Sequence, residues 1–186
     1  SEIKVGVNYV IILNTNAGFW GYNIGDTVKF VSKNPYRLVV TGRIAHFTSA
    51  FGEHVIAEEI EKSLFEAVNS LPAQIAEFHV APQVNPKKGL PFHEWFIEFE
   101  KKPDNIADFS FFLDNSLQKQ NPYYRDLIQD GVLRPLVITC VGKNGFNNYM
   151  KSIGKLGGQN KTPRLSNDRN IADKLTCFLW KKRKNK

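Results

Sequence analysis

The hydrophobic pattern of this chain changes period after Gly42-Arg43, and that change limits the folds open to it. Before this point, β-branched and aromatic residues concentrate in short runs at residues 7–13, 27–31 and 37–41. Turn formers such as Asn34-Pro35 separate these runs, which therefore predict a small β-meander. A meander of this size has little to bury its second face against, so we expect another element to cover it.

After Gly42-Arg43 the apolar residues first recur at about every fourth position, which predicts an amphipathic helix over residues 54–71. Glutamates crowd its beginning, where carboxylates suit the positive end of the helix dipole. Period-two patterns then predict strands at 75–80, 95–99 and 136–141, with a proline-containing linker between the first two. The other predicted helices cover residues 105–120, 122–129, 144–153 and 170–180. This order predicts an α+β domain in which helices cover a small sheet.

The composition indicates a folded chain without a membrane span. Its 186 residues are 42% hydrophobic and 23% charged, which is enough apolar material for a core. No apolar run approaches the roughly 18 residues that a membrane helix needs. The first residues lack a signal-peptide pattern, and Cys140 and Cys177 are too far apart for a close-spaced metal clip, so we predict a reducing, cytoplasmic setting. Because the chain begins at Ser1 and its one methionine is Met150, we expect a longer parent polypeptide.

The net charge of +7 is concentrated in the last quarter of the chain. Residues 143–186 carry twelve Lys and Arg against Asp168 and Asp173, whereas residues 1–142 carry thirteen basic and sixteen acidic side chains. Such a concentration suits a nucleic acid, an anionic membrane or a phosphorylated small molecule. Composition alone does not choose among these partners.

Several common catalytic and binding motifs are incomplete or absent in this sequence. Gly142-Lys143 and Gly154-Lys155 lack the remaining residues of a phosphate-binding Walker loop, and no Gly-x-Ser-x-Gly sequence is present. His54 and Glu58 have the spacing of two ligands on one helix face, but a solvated helix face explains them better. We therefore predict no metal-binding residues.

Three glycine-containing pieces remain. The first is residues 21–26, a predicted turn that presents Asp26 just before a strand. The second is Thr41-Gly42-Arg43, at the point where the hydrophobic period changes. The third is the glycine- and lysine-rich run at residues 154–164. Taken singly, each is more often a turn, a surface cation or a solvated linker.

Taken in order, the three pieces resemble the adenylate-forming (ANL) superfamily. The resemblance narrows to the bacterial branch of the auxin-responsive Gretchen Hagen family of acyl-acid amido synthetases. It is carried by Gly25-Asp26, Gly42-Arg43, Phe51-Gly52-Glu53 and, above all, residues 154–169, which include a Gln-x-Lys-Thr-Pro-Arg core. It spans most of the chain, roughly residues 7–175, and only the last motif is long enough to be specific.

The resemblance implies a nucleotide site in the first part of the chain. Asp26, with Tyr22 and Gly25, is expected to contact ATP, where an aspartate can accept hydrogen bonds from the ribose hydroxyls. Arg43 is expected to hold ribose or phosphate oxygens with its planar guanidinium group. Arg43, Ile44 and Ala45 are the expected hinge; residues 44–46 stand where many relatives carry an aspartate or a lysine.

The resemblance also implies a catalytic lysine. Lys161 is the first candidate, because it occupies the lysine position of the Gln-x-Lys-Thr-Pro-Arg core. Its charge would offset the negative charge that builds up when a carboxylate attacks the α-phosphorus of ATP. Lys155 is the alternative, because other adenylate-forming families favour the lysine next to a glycine.

The implied protein is a ligase that uses ATP and Mg²⁺ to join a carboxylic acid to an amine, commonly an amino acid. Residues 1–43 would be a remnant of the β subdomain of the N-terminal adenylation domain, and residues 44–186 the mobile C-terminal domain. The phosphate loop and acyl pocket of the superfamily belong to an N-terminal domain that is absent here. We therefore expect the isolated chain to lack adenylation activity.

Two alternatives stay open. The acceptor could be a thiol such as coenzyme A, because the superfamily uses the same first half-reaction with different second nucleophiles. The chain could also be a stand-alone basic nucleic-acid-binding module or an interaction domain, although it lacks an aromatic ribonucleoprotein motif and a helix-turn-helix signature. No membrane partner is expected.

Overall fold

The computed structural model describes residues 3–43, 47–155, 157 and 161–180. Within these residues the chain forms one three-stranded sheet near its start and a second three-stranded sheet that helices cover. A pair of two-residue strands lies between them. The predicted α+β fold is confirmed.

The first sheet is the predicted meander. Its strands are β1 (Asn8–Leu13), β2 (Tyr22–Lys33) and β3 (Tyr36–Arg43), paired antiparallel in the order β1-β2-β3. Strand β2 begins five residues earlier than predicted, so residues 22–26 lie in a strand rather than in a turn. The prediction of a turn there was wrong, because a glycine with positive φ also suits a β-bulge.

The bulge in β2 is visible in the register. Val10 pairs with Thr27, but Ile12 pairs with Asn23, so three residues of β2 face one residue of β1. Gly25 lies in this bulge with a φ of 81°, a conformation that costs glycine little. Asp26 is the last of these three residues and therefore lies in the bulge itself.

The first sheet is not covered in the way the sequence predicts. Trp20 and Val40 are 84% and 66% exposed, and most other apolar side chains of this region are about half exposed or more. Val28 is buried, and Lys29 on β2 forms a 3.0 Å ion pair with Glu58 on the first helix. Within the described residues, the expected covering element is missing from most of this sheet.

The second sheet consists of β6 (Gln74–Gln83), β7 (Phe92–Lys101) and β8 (Val137–Val141). Strand β6 pairs antiparallel with β7, and β7 pairs parallel with β8. Strands are present at all three predicted positions. Because β6 and β7 extend into the predicted proline-containing linker, that linker is shorter than expected.

Helices cover both faces of the second sheet. The helices are α1 (Ala57–Ser70), α2 (Ile106–Gln120), α3 (Pro122–Gln129), α4 (Gly145–Ser152) and α5 (Asn170–Leu175). Side chains alternate along β7: Trp95 and Ile97 enter the core formed with α1 and α2, whereas Phe96 enters the core formed with α4 and α5. Because both faces of β7 are covered, the consecutive residues Trp95, Phe96 and Ile97 are all apolar and buried.

Helix α1 begins three residues later than predicted. Residues 54–56 do not belong to it, because Val55–Ile56 form strand β5, which pairs with β4 (Phe47–Thr48). His54 precedes β5 with a positive φ of 47°. His54 and Glu58 consequently do not share a helix face.

The final helix is shorter than predicted. Helix α5 ends at Leu175, and a 3-10 turn at Thr176–Phe178 follows. Leu179 then pairs antiparallel with Val141. The Trp180 N–H donates to the Cys140 carbonyl at 3.0 Å, so the chain returns to the sheet at the edge of β8. None of the described helices is long and apolar enough to span a membrane.

Candidate functional site

The residues of the long sequence motif run beside strand β6, and backbone hydrogen bonds hold them there. We call residues 161–169 the motif loop. The Val80 N–H donates to the Arg164 carbonyl at 2.9 Å, and the Ser166 N–H donates to the Val80 carbonyl at 3.0 Å. Leu165, between these two residues, is 1% exposed and belongs to the apolar core. The middle of the motif loop is therefore fixed to the edge of the second sheet.

Further anchors come from side chains and loops around the motif loop. They are His79 Nδ1 to the Pro163 carbonyl at 2.6 Å, Arg164 to Glu61 Oε1 at 2.5 Å, the Ser49 N–H to Asn167 Oδ1 at 2.8 Å, and Arg169 to Glu94 Oε2 at 2.8 Å. The partners lie on β6, on α1, on the segment before β5 and on β7. The motif loop is thus tied to four separate parts of the fold.

His79 is fully buried on β6. A carbonyl oxygen can only accept, so the Nδ1 atom that faces Pro163 carries the proton. Burial lowers the pKa of His79, because a charged imidazole is poorly solvated there, while the Pro163 carbonyl opposes this shift. The ring is therefore held as a neutral donor.

Lys161, the first candidate for the catalytic lysine, is exposed at the start of the motif loop. It lines a cavity of 260 Å³ together with Glu77, Glu98, Asn147 and Thr162. The Glu98 carboxylate already accepts hydrogen bonds from the N–H groups that begin helix α4, at 2.6 Å and 3.2 Å. Lys161 is thus an exposed residue of the cavity lining.

Lys155, the alternative, lies at the end of helix α4. The Lys155 N–H donates to the Met150 carbonyl at 2.9 Å, and the Gly154 N–H donates to the Lys151 carbonyl at 3.1 Å. Gly154 has a φ of 69°, so the two bonds form a Schellman motif. The Gly154-Lys155 pair therefore has a structural role as a helix end, and the Lys155 side chain is exposed.

The candidate nucleotide residues lie on the first sheet. Asp26 on β2 pairs in register with Arg43 on β3, and the adjacent pair is Thr27 with Gly42. The Thr41 hydroxyl donates to Asn8 Oδ1 at 2.9 Å. The structure therefore brings the Asp26 and Arg43 positions together, as neighbours across two strands.

Tyr22 and Gly25 precede Asp26 on the same strand. Tyr22 is about half exposed, and its ring lies 5.0 Å from the ring of Phe19. The Gly25 N–H donates to Asn23 Oδ1 at 2.8 Å. Two of the three expected hinge residues, Ile44 and Ala45, lie outside the described residues.

The two groups of candidates occupy different layers of the fold. Asp26 and Arg43 lie on the first sheet, whereas Lys161 lies beside the edge of the second sheet. A site that uses both groups must therefore form between the two sheets.

A second buried polar cluster was not predicted. Glu53 Oε1 lies 2.9 Å from His93 Nε2, and both side chains are fully buried. Burial raises the pKa of Glu53, but the hydrogen bond and charge of His93, with backbone donors, outweigh burial and lower it overall. Asn121 donates to the Glu53 carbonyl at 3.0 Å and so ties helix α3 to this cluster. The alternation of side chains along a strand could have indicated that His79 and His93 are buried, because each lies on a strand two residues from other buried side chains.

The described residues contain no group of three or more His, Cys, Asp or Glu side chains that could hold a metal ion. The two carboxylates that line the cavity with Lys161 already accept hydrogen bonds from the protein: Glu98 from backbone N–H groups, and Glu77 from the Phe78 N–H. The part of the chain that the structure describes therefore offers no evident set of Mg²⁺ ligands.

Comparison with protein-family models finds two matches. Residues 1–43 match the GH3 family central domain, and residues 55–170 match the GH3 family C-terminal domain. A search of curated proteins found no match.

Solved structures match almost the whole chain. The "GH3.15 acyl acid amido synthetase" matches with a TM-score of 0.75 and 19% identity over 97% of this chain. The "AtGH3.15 acyl acid amido synthetase in complex with 2,4-DB" matches with a TM-score of 0.72 and 18% identity over 96% of this chain. The chain spans only 34% of the length of each of these structures. With a family model that matches more than half of its residues, the chain belongs to the GH3 family.

Proposed function

We propose that this chain is the C-terminal portion of an ATP-dependent acyl-acid amido synthetase. The enzyme would activate a carboxylic acid as an acyl adenylate and then transfer the acyl group to an amine, such as an amino acid. Membership of the GH3 family supports this function, as do matched structures that bear the name acyl acid amido synthetase. The observation that carries it is the motif loop, which is anchored at both its middle and its end while Lys161 stays exposed.

In the proposed first step, a carboxylate oxygen bonds to the α-phosphorus of ATP and the bond to the bridging oxygen breaks, so pyrophosphate leaves. Two anions must approach each other, and negative charge builds up around the α-phosphorus. The Lys161 ammonium group would lie against this charge and stabilise the transition state. Because the motif loop is anchored, the chain would need to move less to bring Lys161 to the reacting phosphate.

In the proposed second step, the amine attacks the acyl carbon and AMP leaves. The amine gives up a proton as the amide forms. We assign no residue of this chain as the base that accepts this proton. A thiol such as coenzyme A is the alternative nucleophile.

Asp26 and Arg43 are the proposed nucleotide contacts on the first sheet, with Tyr22 and Gly25 beside them. The Asp26 carboxylate is an acceptor suited to ribose hydroxyls, and an arginine beside it suits phosphate oxygens. ATP would then join the two sheets, with Arg43, Ile44 and Ala45 as the proposed hinge between them. Mg²⁺ would accompany ATP, held mainly by the rest of the parent protein.

The rest of the parent protein is the proposed partner of this chain. The exposed first sheet supports this, because apolar strands of this kind are stable when another layer covers them. The length of the matched structures also supports it, because this chain covers 34% of them. We accordingly propose residues 1–43 as part of the neighbouring adenylation domain and residues 44–186 as the mobile domain.

The proposed reaction can be tested by trapping the acyl adenylate. The full-length protein is incubated with ATP, Mg²⁺, a panel of carboxylic acids and hydroxylamine, a small amine that converts acyl adenylates to hydroxamates. We expect hydroxamate and AMP to form together, and amides to replace hydroxamates when amino acids are supplied. Thioester formation with coenzyme A, without amides, would contradict the proposed second step. AMP production that does not depend on any acid would contradict the first.

A further inference from the structure

We propose that His79 is a positioning residue for Lys161, because its ring fixes the motif loop two residues after that lysine. The inference rests on the proposed function for its catalytic consequence, since Lys161 is the proposed catalytic group. The structural part, the fixing of the motif loop, stands on contacts in this chain alone.

The geometry of the contact is that of a strong hydrogen bond. His79 Nδ1 donates to the Pro163 carbonyl at 2.6 Å. The ring is 0% exposed, so water does not compete for the Nδ1 proton, whereas Pro163 itself lies at the surface. Strand β6 carries the ring and is itself paired with β7, which makes the donor a fixed point.

The bond extends the fixed part of the motif loop toward Lys161. The backbone of Val80 already holds Arg164 and Ser166. His79, the residue before Val80, reaches Pro163, the residue before Arg164. Pro163 is thus the anchored residue on the Lys161 side of this pairing.

The neighbouring anchor is weaker. Arg164 pairs with Glu61, but about half of each side chain is exposed. Exposed ion pairs of this kind contribute little, because water and salt screen them. The bond from the buried His79 ring is therefore the stronger restraint near Lys161.

The use of histidine at this position also points to the bond. Within the described residues His79 Nε2 has no hydrogen-bond partner, so the ring buries one unsatisfied nitrogen atom. An apolar side chain would fill the same space without that cost. The specific contribution of His79 is therefore the donor that it offers to Pro163.

Two substitutions separate the bond from the packing. Asparagine carries an amide nitrogen at the same distance from Cβ as histidine Nδ1, so His79→Asn retains a donor, whereas His79→Leu removes it. Leu113→Ala is the matched control, because Leu113 is fully buried in helix α2 on the core with α1. It removes buried apolar volume from the core that Leu165 also joins, but it removes none of the hydrogen bonds that hold the motif loop.

The first readout is hydrogen exchange in this chain. We expect the Ser166 amide, which donates to Val80, to exchange about tenfold faster in His79→Leu than in the unchanged chain. His79→Asn should stay near the unchanged rate, and Leu113→Ala should not single out this amide. Equal Ser166 exchange in His79→Leu and the unchanged chain would overturn the positioning role.

The second readout is hydroxamate formation by the full-length protein. We expect His79→Leu to lower kcat by about 100-fold with a much smaller change in the KM for ATP, because a misplaced lysine affects the transition state most. His79→Asn should recover most of kcat. A loss in His79→Asn equal to that in His79→Leu, or an unchanged kcat in both, would overturn the proposal.

Failure of the proposed function gives a different pattern. If the unchanged full-length protein forms no hydroxamate with any acid, the proposed reaction is wrong and the catalytic part of the inference falls with it. The exchange rate of the Ser166 amide then still decides whether His79 fixes the motif loop.

Discussion

At the scale of single residues, Lys161 and Lys155 differ in what surrounds them. Lys161 lines a cavity at the start of the anchored motif loop, whereas the backbone of Lys155 closes helix α4. We expect Lys161→Ala in the full-length protein to lower the rate of hydroxamate formation by about 1000-fold, because a charge at the reacting phosphate is removed. Lys155→Ala is the control and should stay close to the unchanged rate, because the helix end is made by backbone atoms.

Circular dichroism of both variants would confirm that folding is intact. A larger loss in Lys155→Ala than in Lys161→Ala would reverse the assignment of the catalytic lysine. Equal, small effects in both variants would remove the role from either residue.

His79 also makes the stability of this chain depend on pH. Its folded-state pKa is lowered below the ordinary 6.5 by burial, so the unfolded chain binds the proton more readily. The free energy of unfolding should therefore fall as the pH drops below 6.5, by at most about 1.4 kcal/mol for each pH unit. Urea unfolding at pH 7.5 and at lower pH measures this, and His79→Asn should lose this part of the slope. An identical slope in both proteins would contradict the assigned shift.

The candidate lysines could be predicted from the sequence, because they lie in one contiguous motif. The His79 contact could not, because His79 and Pro163 are 84 residues apart and a single sequence does not show which strand the motif loop follows. The same holds for Glu53 and His93, whose pairing depends on how the segment before β5 packs on β7.

At the scale of elements, the sequence predicts those helices and strands whose pattern is long. Helix α3 begins and ends as predicted, because proline suits its first turn and Asn121 caps it with a 2.8 Å bond to the Tyr124 N–H. Strands β4 and β5 were missed, because two residues are too few to show a period. The final helix was extended too far, because a 3-10 turn continues the helical spacing before the chain joins β8.

Helix α4 should depend on the Glu98 carboxylate. Glu98 is 7% exposed and accepts from the Asn144 and Phe146 N–H groups, so its charge lies at the positive end of the helix. We expect Glu98→Gln to lower the free energy of unfolding by about 1 kcal/mol, because the amide loses the negative charge and one of the two acceptor oxygens. Glu100→Gln, two residues further along β7 and exposed, is the matched control and should change little. Urea unfolding compares them, and equal effects would argue against the cap.

At the scale of the whole molecule, the two sheets differ in how well they are covered. The second sheet is buried between helices, whereas most apolar side chains of the first sheet are exposed. We expect amides of β3 in this chain to exchange faster with solvent than amides of β7, because local opening of an uncovered sheet costs little free energy. In the full-length protein, the proposed adenylation domain should slow exchange in β3.

Hydrogen exchange followed by mass spectrometry compares the two proteins segment by segment. Strand β7 is the internal control, because helices cover it within this chain. Equal protection of β3 in the isolated chain and in the full-length protein would contradict the proposed neighbour.

The central claim is that this chain holds only part of the proposed adenylation site, with its candidate residues divided between two sheets. Asp26 and Arg43 lie on the first sheet and Lys161 beside the second, and the proposed reaction needs both groups together with the rest of the parent protein. Acid-dependent exchange of pyrophosphate into ATP is measured for the full-length protein and for this chain alone. We predict exchange by the full-length protein and none by the chain. Exchange by the purified chain would contradict the account, because half of an adenylation site would then be enough.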